Sequence, residues 1–308
     1  MDLSIIVPAF NAQATLPECL AALVTQYLPA GRSLEIIVVD DGSSDSTSDL
    51  CRRFPVTLLT QKNAGAAAAR NTGIARARGH WIAFTDADCI PSRRWAFFLL
   101  QAAENARPDA LGAVGKTVGH QSRSPAARFV DLSGGLDAQI HLAHPTFPFA
   151  PSGNVLYRYS ALLDVGGFDA RFRSYEAADL HYRLSRLHHG RMIHQPRALV
   201  LHRHRDSWAA YWKQQRSYGD GYAQFFIRYP DQVHWSLTRE LAAWARLAAS
   251  VPPALLTSGD AGLFRRGTLL KQCAQRLGFF QTFFNHRETL RFSRTSSLPA
   301  IIPDASLI

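Results

Sequence analysis

Leu3-Ser-Ile-Ile-Val-Pro8, Glu35-Ile-Ile-Val-Val-Asp40 and His80-Trp-Ile-Ala-Phe-Thr85 decide the fold. Each is a short apolar run closed by a proline or a polar residue, the pattern of a parallel strand buried on both faces. Between them the period changes. From Thr15 to Gln26 apolar residues recur at Leu16, Leu20, Leu23 and Val24, a helical spacing with Thr15 as N-cap and Pro17 in the first turn. The Ser/Asp cluster of Asp41-Gly-Ser-Ser-Asp45 caps a second helix through Leu50 and Cys51. Val56 to Leu59 fits a further strand, and the alanine-rich stretch Ala64 to Arg78 a further helix.

This alternation predicts right-handed βαβ units and a parallel sheet. In such sheets ligands collect outside the carboxyl ends of the strands. Those ends carry Pro8-Ala-Phe-Asn11, Asp40-Asp41 and Asp86-Ala-Asp88, so three polar turns converge on one crevice. No GxGxxG follows the first strand and no GxxxxGK[ST] occurs, which disfavours a dinucleotide fold and a P-loop.

Composition sets the outer limits. The chain has 308 residues, 47% hydrophobic and 19% charged, enough for one large α/β domain or two small ones and unlike a disordered or fibrous chain. Its four cysteines form no CxxC pair and read as reduced thiols of a cytosolic protein. Asp2 sits where a secretory leader would be basic, so no leader is expected. The apolar stretch Leu241 to Leu256 is broken by Arg246 and Pro252-Pro253 and is too short to span a bilayer. Residues 1–185 hold 17 basic and 17 acidic side chains, whereas residues 186–308 hold 17 against 7, so the net charge of +10 belongs to the last two-fifths. Trp208, Tyr211, Trp212, Phe225, Phe226, Trp235 and Trp244 are interleaved there. Such a field suits an anionic partner, and it equally suits arginines that simply solubilise helices.

The second half is less regular. Pro145 to Pro151 reads as a loop, Ser152-Gly-Asn-Val-Leu156 as a strand, Gly166-Gly-Phe-Asp169 as a turn and Glu176 to Leu187 as a helix. Ala198 to Leu201 reads as a strand whose period of two would put His202 and His204 on one face. From Ser207 onward helices dominate, with breaks expected at Gly219-Asp-Gly221 and Tyr229-Pro230.

Asp86 and Asp88 flank one alanine after a buried strand. Two carboxylates that close repel unless something cationic answers them, and a divalent cation shared with nucleotide phosphates is the natural partner. Asp40 or Asp41 could accept a hydrogen bond from a nucleobase or ribose, while Asp41-Gly42 also suits a turn and Asp45 a helix cap. Arg70 lies on the alanine-rich helix, within reach of a diphosphate or base, or on a solvated face.

Together Ile5-Ile-Val-Pro-Ala-Phe-Asn11, Val38-Val-Asp-Asp-Gly-Ser-Ser-Asp45, Asn63-Ala-Gly65 with Ala69-Arg-Asn-Thr-Gly73, and Thr85-Asp-Ala-Asp88 resemble the nucleotide-sugar half of glycosyltransferase family 2, with Gly166-Gly-Phe-Asp169 and Ala178-Asp-Leu-His-Tyr-Arg-Leu184 resembling its acceptor side. The resemblance covers residues 3 to about 205 and implies a GT-A fold, an α/β architecture with a Rossmann-like, mostly parallel sheet flanked by helices. It divides the chain into a nucleotide-sugar half (1–115), an acceptor half of the same domain (116–205) and a basic helical extension (206–308). It implies inverting transfer from a nucleoside diphosphate sugar, with a UDP-sugar favoured, to a hydroxyl acceptor in surface polysaccharide or glycolipid synthesis.

By the same resemblance, Pro8, Ala9 and Phe10 would line the base pocket, with Asn11, Asp40, Arg70 and Asp86 around the nucleotide and Asp41 on the base. Asp88 would bind Mn²⁺ or Mg²⁺, joined by His202. Asn154, Gly167, Phe168 and Asp169 would face the acceptor. The segment from His202 to Gly221 resembles an extension that lies against acceptor or membrane, which implies a cytoplasmic protein held at the inner face of an anionic membrane through residues 206–308. No nucleic acid partner is expected. One departure stands out: the family's Glu-Asp-x-Asp-Leu run is Glu176-Ala177-Ala178-Asp179-Leu180 here, so the usual basic aspartate is Ala177. Glu176 becomes the expected base and Asp179 the alternative. A nucleotide-sugar binder without catalysis is the competing class. A sugar-nucleotide pyrophosphorylase is disfavoured, because Pro8-Ala-Phe-Asn-Ala12 is not its glycine-rich basic signature.

Overall fold

A computed structural model of the chain describes residues 1–106, 110–144, 147–230 and 236–292, with side chains to residue 285. Two compact units emerge: the first comprises residues 1–118 and 136–203, the second residues 119–135 and 204–292. Trp235 and the start of the loop beginning at Pro145 lie outside the described residues.

The first unit is built on β1 (Leu3–Ala9), whose Leu3, Ile5, Ile6 and Val7 are fully buried. It pairs in parallel with β2 (Leu34–Asp40) on one side and β4 (Trp81–Thr85) on the other, and β3 (Thr57–Thr60) extends the parallel half beyond β2. Apolar side chains leave both faces of these strands, so helices must cover both. One face carries α1 (Leu16–Val24) and α4 (Trp95–Glu104), whose Leu16, Leu20, Leu23, Trp95 and Leu99 join Ile5 and Val7 in one core cluster. The other carries α3 (Ala66–Arg76), whose Ala67, Ala69 and Ile74 pack with Ile6, Ile82 and Phe84. The close approach of α3 to the sheet rests on Gly73, where a Cβ would lie 2.5 Å from Ile6 Cγ2. The short α2 (Thr47–Cys51) starts beside Asp45, whose carboxylate accepts from the Thr47 amide at 3.0 Å.

Beyond β4 the sheet turns antiparallel. The strand order is β3-β2-β1-β4-β7-β6-β8-β5, with β5 (Cys89–Pro91), β6 (Ala110–Gly119), β7 (Asn154–Arg158) and β8 (Arg191–His202). Asn154 stitches this half together. Its Oδ1 accepts from the indole of Trp95 at 2.7 Å, and its Nδ2 donates to the carbonyls of Lys116 and Ala198 at 3.0 and 3.1 Å. The helices α6 (Ala138–Leu142), α7 (Tyr159–Asp164) and α8 (Glu176–His188) complete the unit.

Strand β8 begins seven residues before the stretch Ala198 to Leu201, because its first half is partly exposed and includes Pro196, so it lacks an apolar run. It ends at His202, so the expectation that His202 and His204 share a strand face does not hold. His204 instead lies in the second unit, with Nε2 3.0 Å from Asp131 Oδ1.

The second unit consists of α5 (Pro125–Leu132), α9 (Trp208–Arg228), α10 (Leu237–Ala249), α11 (Val251–Leu256) and α12 (Gly259–Phe292). Phe129 of α5 is buried against the rings of Trp208, Tyr211 and Phe264. Helix α9 stops at Arg228 as expected before Tyr229-Pro230, yet it runs unbroken through Gly219-Asp-Gly221. Gly219 is a packing residue rather than a break: a Cβ there would overlap the Gln275 carbonyl of α12, and one at Gly278 would overlap the Arg216 carbonyl. Helices can cross this closely only where side chains are missing. Gly219→Ala should therefore lower the unfolding free energy by about 1–3 kcal/mol, the usual penalty for overpacking. Chemical unfolding followed by tryptophan fluorescence reads this directly, and an unchanged midpoint would mean that α9 and α12 do not touch here.

Candidate active site

The turn after β1 holds Pro8, Ala9, Phe10 and Asn11, with the Phe10 ring half exposed. Asn11 takes a left-handed φ of 48° and ties this turn to the one after β2: its amide donates to Ser43 Oγ at 2.9 Å, and its Oδ1 accepts from the Ser44 amide at 2.9 Å. Asp40 and Asp41 are both buried. Asp40 accepts from the Ser43 amide at 2.9 Å and from the Ser48 hydroxyl. Asp41 accepts from Gln61 Nε2 at 2.7 Å and from the amides of Ala64 and Gly65 at 2.9 and 2.8 Å. The amides Ala64 and Gly65 lead into α3, so Asp41 fixes where that helix begins.

Helix α3 carries Arg70 into the interior, with its side chain only 4% exposed. Nη2 donates to Asp86 Oδ1 at 2.8 Å and Nη1 to Glu176 Oε1 at 2.9 Å, while the guanidinium lies 5.4 Å from the Phe168 ring centroid. Burial alone would push its pKa down; the two carboxylates outweigh that and raise it, so the group stays charged. Among the described residues no group bonds Glu176 Oε2 or Asp86 Oδ2. Gly153 keeps the approach to Asp86 open, since a Cβ there would stand 2.9 Å from Asp86 Oδ2.

With Arg70 answering Asp86, Asp88 is the carboxylate of the pair left facing a different partner. Its Oδ1 lies 3.5 Å from His202 Nε2, because β5 pairs antiparallel with β8 and sets Cys89 opposite His202. The Arg203 amide donates to the Asp88 carbonyl at 3.0 Å and holds the turn in place. Asp88, Cys89 and His202 offer ligand atoms within 4.8 Å of one another. Burial, reinforced by Asp86 and Asp88, pushes the Cys89 thiol well up, and its soft sulfur matches a hard divalent cation less well than the Asp88 carboxylate. A hard carboxylate oxygen beside one imidazole nitrogen suits Mn²⁺ or Mg²⁺, with further oxygen donors coming from outside the chain.

Glu176 opens α8 after Tyr175, which adopts a left-handed φ of 66°. Ala177, at the place of the usual family aspartate, is buried. Asp179 is fully buried and bound by Arg183 through Nε at 2.8 Å and Nη2 at 2.6 Å. Arg183 also donates to the carbonyls of Val165 and Gly167, so this pair clamps the glycine turn rather than facing the crevice. Asp169 is likewise buried against Arg171, and Asn154 is enclosed in the sheet. Phe168 packs edge-on against Phe84 at 5.2 Å. Its backbone is bracketed by Asn71, which donates to Phe168 O at 2.7 Å and accepts from Phe168 N at 2.8 Å. Asn71 was present in the Ala-Arg-Asn-Thr-Gly run, but no sequence rule gave it a partner 97 residues away.

Residues 4–166, more than half of the chain, match the model of "Glycosyl transferase family 2". The chain belongs to that family, and its fold is GT-A. It is 32% identical over 245 residues to the pre-mycofactocin glycosyltransferase of Mycobacterium tuberculosis, covering 75% of this chain and 49% of that protein. It is 28% identical over 185 residues to the glycosyltransferase AglE of Haloferax volcanii, covering 58% and 59%. The chain thus spans about half the length of the curated relatives it matches. Among solved structures it resembles the mannosyltransferase PcManGT of Pyrobaculum calidifontis in complex with GDP-Man and Mn²⁺, with a TM-score of 0.60, 19% identity and coverage of 96% and 88%. It also resembles TarS 1–349 of S. aureus in complex with UDP-GlcNAc, with a TM-score of 0.52, 16% identity and coverage of 95% and 91%.

The Asp179–Arg183 clamp gives a stability prediction. Asp179→Ala leaves a largely buried guanidinium without its carboxylate, which should cost about 3–5 kcal/mol, whereas Glu176→Gln, which keeps an amide oxygen for Arg70 while Asp86 still balances its charge, should cost less, about 1–3 kcal/mol. Denaturant midpoints of the two variants test this, and equal midpoints would contradict the clamp.

Proposed function

We propose that the chain transfers a sugar from a nucleoside diphosphate sugar to an acceptor hydroxyl with inversion at the anomeric carbon, and that Glu176 is the general base. The observation that carries this reading is the buried Arg70, which fixes Glu176 by Oε1 and leaves Oε2 open to an acceptor. In the step, Glu176 Oε2 takes the acceptor proton as the acceptor oxygen attacks the anomeric carbon. The bond from that carbon to the diphosphate oxygen breaks on the opposite face, and its electron pair leaves with the nucleoside diphosphate. Arg70 acts here first as a positioning residue: one N–H of each Nη holds Glu176 and Asp86, while Nε is buried without a partner.

Asp86 Oδ2 faces the ribose, Phe10 offers its exposed ring to the base, and Asp88 with His202 would hold the divalent cation. Bound there, that cation supplies charge compensation for the leaving diphosphate. Asp41, fully used by amides, serves the base indirectly by fixing the loop to α3. A UDP-sugar is the favoured donor and a GDP-sugar its competitor, since the similar folds were solved with UDP-GlcNAc and with GDP-Man. By family resemblance, the acceptor in this reading is a hydroxyl in surface polysaccharide or glycolipid synthesis, met on the cytoplasmic side. Ala177 favours one second reading, a nucleotide-sugar binder without turnover.

Release of isotope from a labelled nucleotide sugar, with and without acceptor, separates the two. Glu176→Gln should reduce transfer by roughly 10²–10⁴-fold with donor affinity near wild type; binding without turnover in the wild type would establish the second reading. Asp88→Ala should remove the Mn²⁺ dependence of nucleoside diphosphate binding in calorimetry. Unchanged Mn²⁺ dependence would exclude Asp88 as a ligand.

A further inference from the structure

Helices α10 and α11 of the second unit present an apolar surface that no described residue covers. Leu237 and Leu241, one turn apart on α10, are 58% and 60% exposed, and Leu255 and Leu256 at the end of α11 are 72% and 86% exposed. The inward sides of the same helices are already satisfied, with Leu247 and Ala254 buried. One exposed leucine needs no explanation, but four on two consecutive helices, with Val251 between them also exposed, leave more apolar surface uncovered than scattered single residues do.

The charges around the patch are mostly positive, and its acids Glu240 and Asp260 are each paired with an arginine, Arg276 and Arg128. The sole acid of residues 237–256 is Glu240, and Arg276 binds it at 3.1 Å. Arg239 and Arg246 are exposed and have no acidic partner among the described residues. Behind Arg246 a groove of about 620 Å³ runs between α10 and α12, lined by Arg246 and Arg265 together with Leu247, Phe264 and Leu269. Arg265 also has no acidic partner among the described residues. An apolar wall with two unanswered guanidinium groups suits a phosphate attached to a hydrophobic body.

We propose that α10 and α11 dock on an anionic phospholipid bilayer, with Leu237, Leu241, Leu255 and Leu256 entering the boundary between headgroups and acyl chains and the Arg246–Arg265 groove taking a headgroup phosphate. This narrows the anionic surface expected for residues 206–308 to two helices and one groove. The helices lie along the interface rather than crossing it, since no described helix is long and apolar enough to span a membrane. A second copy of the chain fits less well, because the same arginines would face one another with no acid between them. The proposal does not rest on sugar transfer, and its test reads partition alone.

The test is flotation of the full chain with vesicles of phosphatidylcholine alone or mixed with phosphatidylglycerol, at low and high salt. Wild type should float with the mixed vesicles and lose part of its recovery at high salt, where surface charge is screened. Leu255→Asp together with Leu256→Asp should lower partition on the order of tenfold or more at either salt. Leu237→Gln with Leu241→Gln provides an independent second pair, and circular dichroism confirms folding of both. Arg246→Gln with Arg265→Gln should cost roughly fivefold per arginine and flatten the salt dependence. Equal recovery of wild type in neutral and mixed vesicles, or leucine variants that float like wild type, would overturn the proposal. So would a dimer in sedimentation that the leucine changes dissolve while no vesicle binding is seen, which would give the face to a second copy.

Discussion

A buried guanidinium is costly unless its charge is answered, and Arg70 is answered twice, by Asp86 and by Glu176. The rest of the first unit is arranged so that this can happen. Gly73 lets α3 settle on Ile6, which sets the depth of Arg70. Asp41 fixes the start of the same helix, and Asn71, the next residue along, brackets the backbone of Phe168. The turn at Phe168 is held in turn by Arg183 and Asp179, which places the first residue of α8, Glu176, within reach. A single ion-pair bridge thereby links the strand end that bears Asp86 to the helix that bears Glu176, although the two are far apart in sequence.

The acids of the unit divide by how completely their oxygens are used. Asp40, Asp41 and Asp169 are buried with both oxygens bonded internally, and Asp179 is fully buried with two N–H groups of Arg183 on its Oδ2. Such groups stabilise turns and helix starts, and removing their charge leaves donors stranded. Asp86 and Glu176 are held by one oxygen each and keep the other available. Asp88 meets an imidazole across a β ladder. Groups that are fixed but incompletely satisfied are the ones able to meet a ligand without first giving up a fold contact. Part of the positive charge of residues 186–308 lies on α10 and α12, where Arg239, Arg246 and Arg265 accompany the exposed leucines of α10 and α11.

The parallel half of the sheet was legible because its strands are buried on both faces and therefore read as unbroken apolar runs. The first half of β8 was not, because partly exposed residues and Pro196 mask its period. Gly219 looked like a helix break, and only the crossing with α12 reveals a packing contact. Nothing in composition groups residues 119–135 with those after 203, since that association is long-range. For the site, strand-end positions brought Asp86 and Asp88 into view, the alanine-rich helix brought Arg70, and the family resemblance singled out Glu176. The division among Asp41, Asp179, Asn71 and Asn154 could not be read, because whether a polar side chain supports the fold or faces a ligand depends on partners brought together by tertiary structure.

The central claim is that Arg70 is an internal tie and that the cation belongs to Asp88 and His202. Anomalous diffraction from crystals grown with Mn²⁺ and a nucleoside diphosphate tests both parts at once. The account predicts a manganese peak within coordination distance of the Asp88 carboxylate and His202 Nε2, with Arg70 still bridging Asp86 and Glu176. A peak away from Asp88, or an Arg70 that has swung onto the diphosphate and released Glu176, would contradict it.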